Sequence, residues 1–321
     1  MQLVSDPIVD RLKGLSISRV SGPGNRTIRI AFIPANPKGG TWKVVRGSVI
    51  ISPGRTEYIE KHATTAVDLI ARGFNVLIVD QRGQGWSDRL TTNHMAGHMD
   101  SFQNAAEHLG LAIEAAGSRL TGPHILLGHS MGGCIGLEAA LMGNLPSVVA
   151  AAFSAPMWGL VVPPYARAMS KLLTATGQGE AIAPTTPRVW KPEVFEGNAV
   201  THDPLHFARN NALFLAEPAL QIGGPTNGWL HGAFTTMESF TSDRLADLKL
   251  PILVVSGEAE AVVDNNAHVR IAGQLPRAVL RTIPGAKHEL LHELPHLREQ
   301  FWAHFDAWLE TTLEARVLTP A

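Results

Sequence analysis

Short apolar runs rich in valine and isoleucine alternate along the chain with longer segments that have helical spacing. The runs predict seven strands, which begin at Thr27, Gly47, Asn75, His124, Ser147, Pro251 and Ala278. Between them, residues 59–73 and 101–117 place apolar side chains near a period of 3.6, and the second segment ends at a glycine. Continuous apolar strands separated by amphipathic helices predict an α/β fold, with a mostly parallel sheet covered by helices on both faces.

The alternation stops between about Trp158 and Ser242 and resumes with the strand at Pro251. The interrupting stretch contains proline-based turn signals, three of the seven tryptophans and helix-like pieces. An insertion that leaves a parallel sheet and returns to it predicts a cap over the carboxyl edge of the sheet, where ligands bind in open α/β folds. The expected units are a core and an inserted, mainly helical cap: residues 1–157 with 243–321, and residues 158–242.

Composition narrows the class of protein. The chain has 321 residues, of which 45% are hydrophobic and 17% are charged, and this suits a globular protein with one large core and an insertion. A formal net charge of -1 provides no broad attraction for nucleic acid. A single cysteine, Cys134, excludes an intrachain disulfide framework and a cysteine-rich zinc site.

No targeting or membrane-spanning segment is evident. The N-terminal sequence lacks the basic start and the apolar segment of a signal peptide. No run approaches the roughly 18 apolar residues of a spanning helix. We therefore expect a cytoplasmic protein, and loose attachment to the inner face of a membrane stays open.

The strongest chemical signal is Gly128-His129-Ser130-Met131-Gly132, a G-x-S-x-G motif. It follows a predicted strand and precedes a helix-like segment, which is the context of a nucleophile elbow. The tight turn leaves no room for flanking side chains and lifts the Ser130 hydroxyl above the sheet. The helix behind it supplies positive partial charge and the Met131 N–H to a developing oxyanion. The motif predicts Ser130 as a nucleophile.

A serine nucleophile needs a base, and the base needs an acid that orients it. In this type of site the chain order is serine, acid, histidine. His288 follows the last predicted strand through a four-residue loop, which places it at the carboxyl edge of the sheet. The acid is expected after the preceding strand, which three carboxylates follow: Glu258, Glu260 and Asp264.

The second oxyanion donor is expected in the loop S-P-G-R-T-E-Y, which follows the second predicted strand. Gly54 permits a close backbone approach and Pro53 has no N–H, so the Arg55 N–H is the expected donor. The Arg55 side chain has three alternatives that the sequence leaves open: an anionic head group, exposure to solvent, or an ion pair with Glu57.

Residues 288–292 also match H-E-x-x-H, a zinc-protease motif that needs both histidines on one helix. Here the first histidine comes directly out of a loop that follows a strand. The longer motif with a third histidine fails, because Pro295 and Arg298 occupy its later positions. We therefore expect no metal, and we place Glu289 and His292 at the start of the final helix.

Five segments together resemble the α/β-hydrolase superfamily over nearly the whole chain. Within it they are similar to the bacterial lysophospholipase and monoacylglycerol lipase family, whose members are also described as serine aminopeptidases. The segments are PGRTEYIEK, DQRGQGWSDR, GHSMGG, EAEAVVDNNAH and GAKHELLHE. The resemblance implies the α/β-hydrolase fold, Ser130 as nucleophile, His288 as base, and the N–H groups of Arg55 and Met131 as the oxyanion hole.

Two positions depart from the family pattern. Monoacylglycerol lipases have His-Gly where this chain has Pro53-Gly54, whereas the lysophospholipase branch is similar to this chain. The usual aspartate of the family corresponds here to Glu260, and a second carboxylate is kept at Asp264. We favour Glu260 as the acid because it lies in the loop just beyond the strand. Asp264 is the alternative, and we expect it to cap the helix that follows.

These observations predict a serine carboxylic-ester hydrolase that cleaves a single-chain acyl ester, a lysophospholipid or a monoacylglycerol, through an acyl-enzyme. The expected partner is a small-molecule ester, with no nucleic acid. No cofactor is expected, since residues 83–85 lack the third glycine of a dinucleotide fingerprint. Aromatic and apolar residues of the cap are expected to line an acyl pocket. They are Trp158, Trp190, Trp229, Leu230 and Phe234.

Two other functions stay open. A serine aminopeptidase requires a carboxylate in the cap that binds the substrate amine, and a hydrolase-fold ligand receptor can retain a triad without catalysis. The sequence leaves undetermined the head group, the acyl chain length and the oligomeric state.

Overall fold

A single sheet organises the computed structural model, which describes residues 3–35 and 42–318. Within these residues the sheet has eight strands, in the order β1-β2-β4-β3-β5-β6-β7-β8. The strands are β1 (Ser16–Gly22), β2 (Arg26–Ile33), β3 (Gly47–Ser52), β4 (Phe74–Val79), β5 (His124–His129), β6 (Val148–Ser154), β7 (Ile252–Gly257) and β8 (Ala278–Ile283). β1 pairs antiparallel with β2 and β2 antiparallel with β4, and all other neighbours are parallel. The predicted mostly parallel sheet is confirmed.

The seven predicted strands correspond to β2 through β8, and β1 is the strand that the apolar pattern missed. β1 lies at the edge of the sheet, and Val20 is its one buried residue. An edge strand that few other elements cover buries little apolar surface, so its sequence shows only a weak apolar strand pattern.

The described part of the chain contains nine α-helices. They are α1 (Ala63–Ala71), α2 (Phe102–Ala116), α3 (Met131–Leu141), α4 (Tyr165–Leu173), α5 (Pro204–Ala216), α6 (Asn227–Ser239), α7 (Ser242–Ala246), α8 (Asn265–Ala272) and α9 (Pro295–Leu318). The first two lie within the segments predicted to be helical. α2 starts where the Ser101 hydroxyl accepts the Asn104 N–H, 3.1 Å away, and it ends at Gly117, whose φ is 51°.

Apolar side chains cover both faces of the sheet, as the continuous apolar strands predict. In β3, Ile50 belongs to the cluster that includes α2 and α3, whereas Val49 and Ile51 belong to the cluster that includes α1 and α9. This division follows from the two-residue period of a strand. The two buried layers hold the sheet rigid, and the loops at its carboxyl edge are anchored to that scaffold.

A buried ion network ties the loop after β3 to the end of β4. The Arg29 guanidinium lies 2.7 Å from Glu60 and 2.6 Å from Asp80, and all three side chains are at most 2% exposed. Asp80 also accepts the Ile59 N–H at 2.8 Å. Removing one member of such a buried network costs about 3–5 kcal/mol, because the remaining charges lose their partners. The segment that carries Arg55 is therefore anchored to the sheet at its C-terminal end, through Ile59 and Glu60.

Between β6 and β7 the chain leaves the sheet, and α4 through α7 lie in this segment. No helix among the described residues is both long enough and apolar enough to cross a membrane. The outermost residues of the predicted core, 1–2 and 319–321, and the segment 36–41 lie outside the described residues.

Candidate active site

Ser130 occupies a tight turn between β5 and α3. Its φ of 50° and ψ of -119° are strained for a residue with a side chain, and its N–H donates to Ser154 O at 3.0 Å. A Cβ on Gly132 would lie 1.8 Å from Ser52 O, and a Cβ on Gly128 would lie 2.9 Å from Gly132 O. The glycines of the motif are thus required by backbone contacts, as the sequence predicts for a nucleophile elbow.

Three side chains from three different loops form one hydrogen-bonded chain. The Nε2 atom of His288 lies 3.0 Å from Ser130 Oγ, and its Nδ1 atom lies 2.8 Å from Glu260 Oε2. Ser130 and His288 are mostly buried, and the side chain of Glu260 is fully buried. This is the geometry in which a histidine can take a proton from a serine hydroxyl while a carboxylate fixes its tautomer.

The Glu260 carboxylate is held in its charged form. Burial raises its pKa, but the hydrogen bond with His288 and the N–H groups of Val262 and Val263 outweigh burial, and the net pKa is lowered. Both N–H groups donate to Oε1, at 2.7 and 3.2 Å. Oε2 is therefore left to face His288.

The other two carboxylates considered from the sequence have different partners. Asp264 caps α8, where its side chain accepts the Asn266 N–H at 2.9 Å. Glu258 accepts the Gly285 N–H at 2.9 Å near the surface. Of the three, Glu260 is the one that the structure brings to His288.

The loop predicted to supply an oxyanion donor is held by two side chains whose role in the loop the sequence does not predict. Glu57 accepts the Gly54 N–H, and Gln84 accepts the Thr56 N–H at 3.1 Å. The Gln84 amide also donates to Gly54 O and Glu57 O, at 2.6 and 3.0 Å. The Arg55 N–H between them has no acceptor among the described residues. Met131 opens α3, where N–H groups have no intrahelical acceptor.

The H-E-x-x-H segment does not lie on one helix. His292 ends a short 3₁₀ turn, Leu290–His292, and α9 begins later, at Pro295. The prediction that Glu289 and His292 start the final helix is therefore wrong, because the proline sets the first turn of the helix at itself. His288 has both ring nitrogens engaged with Ser130 and Glu260.

Two residues of the H-E-x-x-H segment and one carboxylate from the loop after β3 could together hold a metal ion, but a lysine ammonium lies among them. Glu57, Glu289 and His292 offer ligand atoms within 4.8 Å of one another. The Lys61 ammonium lies 2.9 Å from Glu57 and 2.6 Å from Glu289, and these carboxylates raise its pKa against the effect of burial. Burial lowers the pKa of His292 to about 3, so its ring is neutral. The positive charge that this cluster needs is already supplied by Lys61.

A cavity of about 870 Å³ opens over Ser130 and His288. Of the five residues that the sequence analysis expects in an acyl pocket, Trp190 and Trp229 line it. Trp158 is 1% exposed and packs edge-on against Phe153. Leu230 and Phe234 pack against the main core cluster. The structure thus places these three residues outside the cavity wall.

Besides Trp229, apolar residues of the segment between β6 and β7 line the cavity. They are Leu160, Pro187, Val189, Trp190, Pro192, Val200, Phe207, Phe214 and Ile222. Trp190 belongs to the aromatic cluster that the sequence predicted. Phe207 and Phe214 lie on α5, and the rest lie in stretches without a regular apolar period, where no sequence pattern distinguishes an inner side from an outer side.

Comparison with known proteins places the chain in a family. Residues 43–295 match the family described as serine aminopeptidase, S33. Lysophospholipase L2 of Escherichia coli (strain K12) is 34% identical over 267 residues, which cover 78% of this chain and 76% of the relative. Monoacylglycerol lipase of Mycolicibacterium smegmatis is 27% identical over 255 residues, which cover 77% of this chain and 83% of the relative.

Solved structures share the fold at low sequence identity. A soluble variant of monoglyceride lipase from Saccharomyces cerevisiae, in complex with a substrate analog, has a TM-score of 0.71 at 19% identity, and the match covers 94% of this chain and 98% of that one. A thermostable carboxyl esterase from Bacillus coagulans has a TM-score of 0.73 at 15% identity, covering 93% and 98%. The chain therefore belongs to the serine aminopeptidase S33 family, has the α/β-hydrolase fold and is a serine ester hydrolase.

Proposed function

We propose that the protein hydrolyses a single-chain acyl ester, a lysophospholipid or a monoacylglycerol, through an acyl-enzyme on Ser130. The observation that carries this proposal is the hydrogen-bonded chain from Ser130 through His288 to Glu260 at the base of the cavity. Relatives named lysophospholipase L2 and monoacylglycerol lipase support the substrate class.

The geometry supports a two-step mechanism. His288 Nε2 takes the proton of Ser130 as Oγ attacks the ester carbonyl, and Glu260 stabilises the imidazolium through Nδ1–H. The N–H groups of Arg55 and Met131 bind the developing oxyanion. His288 then protonates the leaving alcohol. In the second step it activates a water molecule, which releases the fatty acid and restores Ser130.

The segment 158–242 serves in this proposal as a cap that accommodates the acyl chain. The apolar wall of the cavity comes largely from this segment, with Trp190, Phe207, Phe214 and Trp229 as its aromatic residues. The reacting groups come from loops at the carboxyl edge of the sheet. A volume of about 870 Å³ lies within the usual range for small-molecule sites, roughly 300–1,000 Å³.

The charges in the cavity favour an ester over a peptide substrate. An aminopeptidase binds the substrate ammonium through an available carboxylate. Glu57 and Glu289 line the cavity, but both are paired with Lys61. Among the cavity-lining residues that the structure describes, this leaves Glu193, whose residue surface is exposed although partial burial of its carboxylate raises its pKa, which disfavours the charged form that an ammonium needs. An exposed carboxylate contributes little to binding an ammonium.

A substrate panel tests the proposal. We expect kcat/KM for lysophosphatidylcholine or monoacylglycerol to exceed that for an aminoacyl p-nitroanilide by at least about 100-fold, since the leaving group and the amine recognition differ. The Ser130→Ala variant measures the background hydrolysis of each substrate. Faster cleavage of the aminoacyl amide would contradict the proposal and assign the chain as an aminopeptidase.

A further inference from the structure

The Arg55 side chain lies beside the cavity in a niche made largely of backbone. The guanidinium donates a hydrogen bond from Nη2 to Gly223 O, and the guanidinium carbon lies 5.7 Å from the centroid of the Trp229 ring. Gly97 packs closely against it, because a Cβ there would lie 2.5 Å from Nη2. The Nε atom is buried and has no acceptor among the described residues.

No carboxylate of the described residues forms an ion pair with Arg55. The sequence left open an ion pair with Glu57, but Glu57 pairs instead with Lys61 and His62. Buried Arg29 has two carboxylate partners. For Arg55, burial alone lowers the pKa, to about 10, and no carboxylate counteracts it. At neutral pH the side chain is therefore a half-buried cation without a carboxylate partner among the described residues, an arrangement that an anionic ligand would stabilise.

The position of Arg55 relates this charge to the reaction. Arg55 lines the same cavity as Ser130, and it follows Gly54 in the loop that faces the nucleophile. If its N–H binds the oxyanion, its side chain extends away from the reacting carbonyl. In a lysophospholipid, the glycerol carbons lie between the ester carbonyl and the phosphate. The distance between these two groups is comparable with the length of an arginine side chain. A monoacylglycerol has a neutral hydroxyl at that place.

We propose that Arg55 binds the phosphate of a lysophospholipid and so selects a phosphate-bearing acyl ester over a neutral monoacylglycerol. This inference rests on the serine ester mechanism proposed above and specifies its substrate. Arginine forms strong charge-assisted hydrogen bonds with phosphate. The bound phosphate neutralises the half-buried guanidinium, a gain that a neutral ester does not provide.

The test compares two substrates that differ only in the phosphate head group. They are a lysophosphatidylcholine and a monoacylglycerol with the same short acyl chain, each below its critical micelle concentration. The measured quantity is kcat/KM for the lysophosphatidylcholine divided by kcat/KM for the monoacylglycerol. We expect Arg55→Met to lower this ratio on the order of 100-fold, mainly by raising KM for the phospholipid. Arg55→Lys keeps the positive charge but lacks the planar guanidinium with its paired N–H donors, and we expect it to restore part of the ratio.

Arg89 provides a matched control. It is also a half-buried arginine whose Nε has no acceptor among the described residues, and it donates to Gly83 O and Ala219 O, both at 2.7 Å. It is not among the residues that line the cavity. We expect Arg89→Met to lower the melting temperature and to leave the substrate ratio unchanged.

A second measurement does not depend on the folding of any variant. Glycerophosphocholine is expected to inhibit monoacylglycerol hydrolysis by the wild-type protein competitively, whereas glycerol at the same concentration is not. Equal losses on both substrates in Arg55→Met, or no inhibition by glycerophosphocholine, would overturn the assignment of Arg55. Failure of the ester mechanism itself has a different signature, since the wild-type protein would then cleave neither ester, and that result would overturn both proposals.

Discussion

Replacing Ser130 by alanine is expected to lower kcat for ester hydrolysis on the order of a million-fold, because the members of a catalytic triad act as a unit. The Oγ atom lies 3.0 Å from His288 Nε2, and without it the histidine has no nucleophile to activate. The backbone turn is held by the Ser130 N–H and by neighbouring glycines, so the fold is expected to persist. Burst and steady-state kinetics on a p-nitrophenyl ester provide the measurement.

Ser154 offers a matched control for this change. It is a fully buried serine at the end of β6, and its Oγ has no hydrogen-bond partner among the described residues. Ser154→Ala removes a hydroxyl of the same kind close to the site, and we expect kcat within a few-fold of wild type. Retention of more than about one per cent of activity by Ser130→Ala would show that another group is the nucleophile.

Replacing Glu260 by glutamine is expected to reduce kcat by about a thousandfold or more. A glutamine is nearly the same size, and its carbonyl oxygen can still accept the N–H groups of Val262 and Val263. Its uncharged amide, however, neither stabilises the imidazolium of His288 nor enforces the required tautomer. Stability is expected to change little, so thermal unfolding together with kinetics separates the two effects.

Asp264 is expected to respond in the opposite way. Asp264→Ala removes the cap of α8, which costs about 1 kcal/mol of unfolding free energy, and kcat should stay close to wild type. Urea denaturation measures the first quantity and ester hydrolysis the second. The reverse pattern, with kcat lost in Asp264→Ala and retained in Glu260→Gln, would move the acid role to Asp264.

The parts of the site that the sequence predicted are those set by local chain geometry. The Ser130 turn follows from a strand, two glycines and a helix start within a few residues. His288 and Glu260 each follow a predicted strand, and the carboxyl ends of parallel strands meet at one edge of the sheet. The Arg55 position follows from the proline and glycine before it. Each of these positions is set by nearby residues in the chain and by the parallel order of the strands, not by side-chain packing.

The parts that the sequence did not predict depend on contacts between distant segments. Lys61 and Glu289 are 228 positions apart, and their ion pair follows from how the loop after β3 meets the loop after β8. Glu57 and Gln84 hold the Arg55 loop for the same reason. Trp158 was expected in the acyl pocket, but it lies four residues after the end of β6 and packs in the core, where its indole N–H donates to Gly133 O at 3.4 Å.

Mass-spectrometric mapping of a fluorophosphonate adduct, made alongside activity assays in EDTA, distinguishes a serine nucleophile from a metal-activated water. A serine mechanism predicts one phosphonyl group on Ser130, loss of ester hydrolysis in proportion to labelling, and full activity of the unlabelled protein in the chelator. Hydrolysis that EDTA abolishes, with Ser130 left unmodified by the fluorophosphonate, would contradict the account.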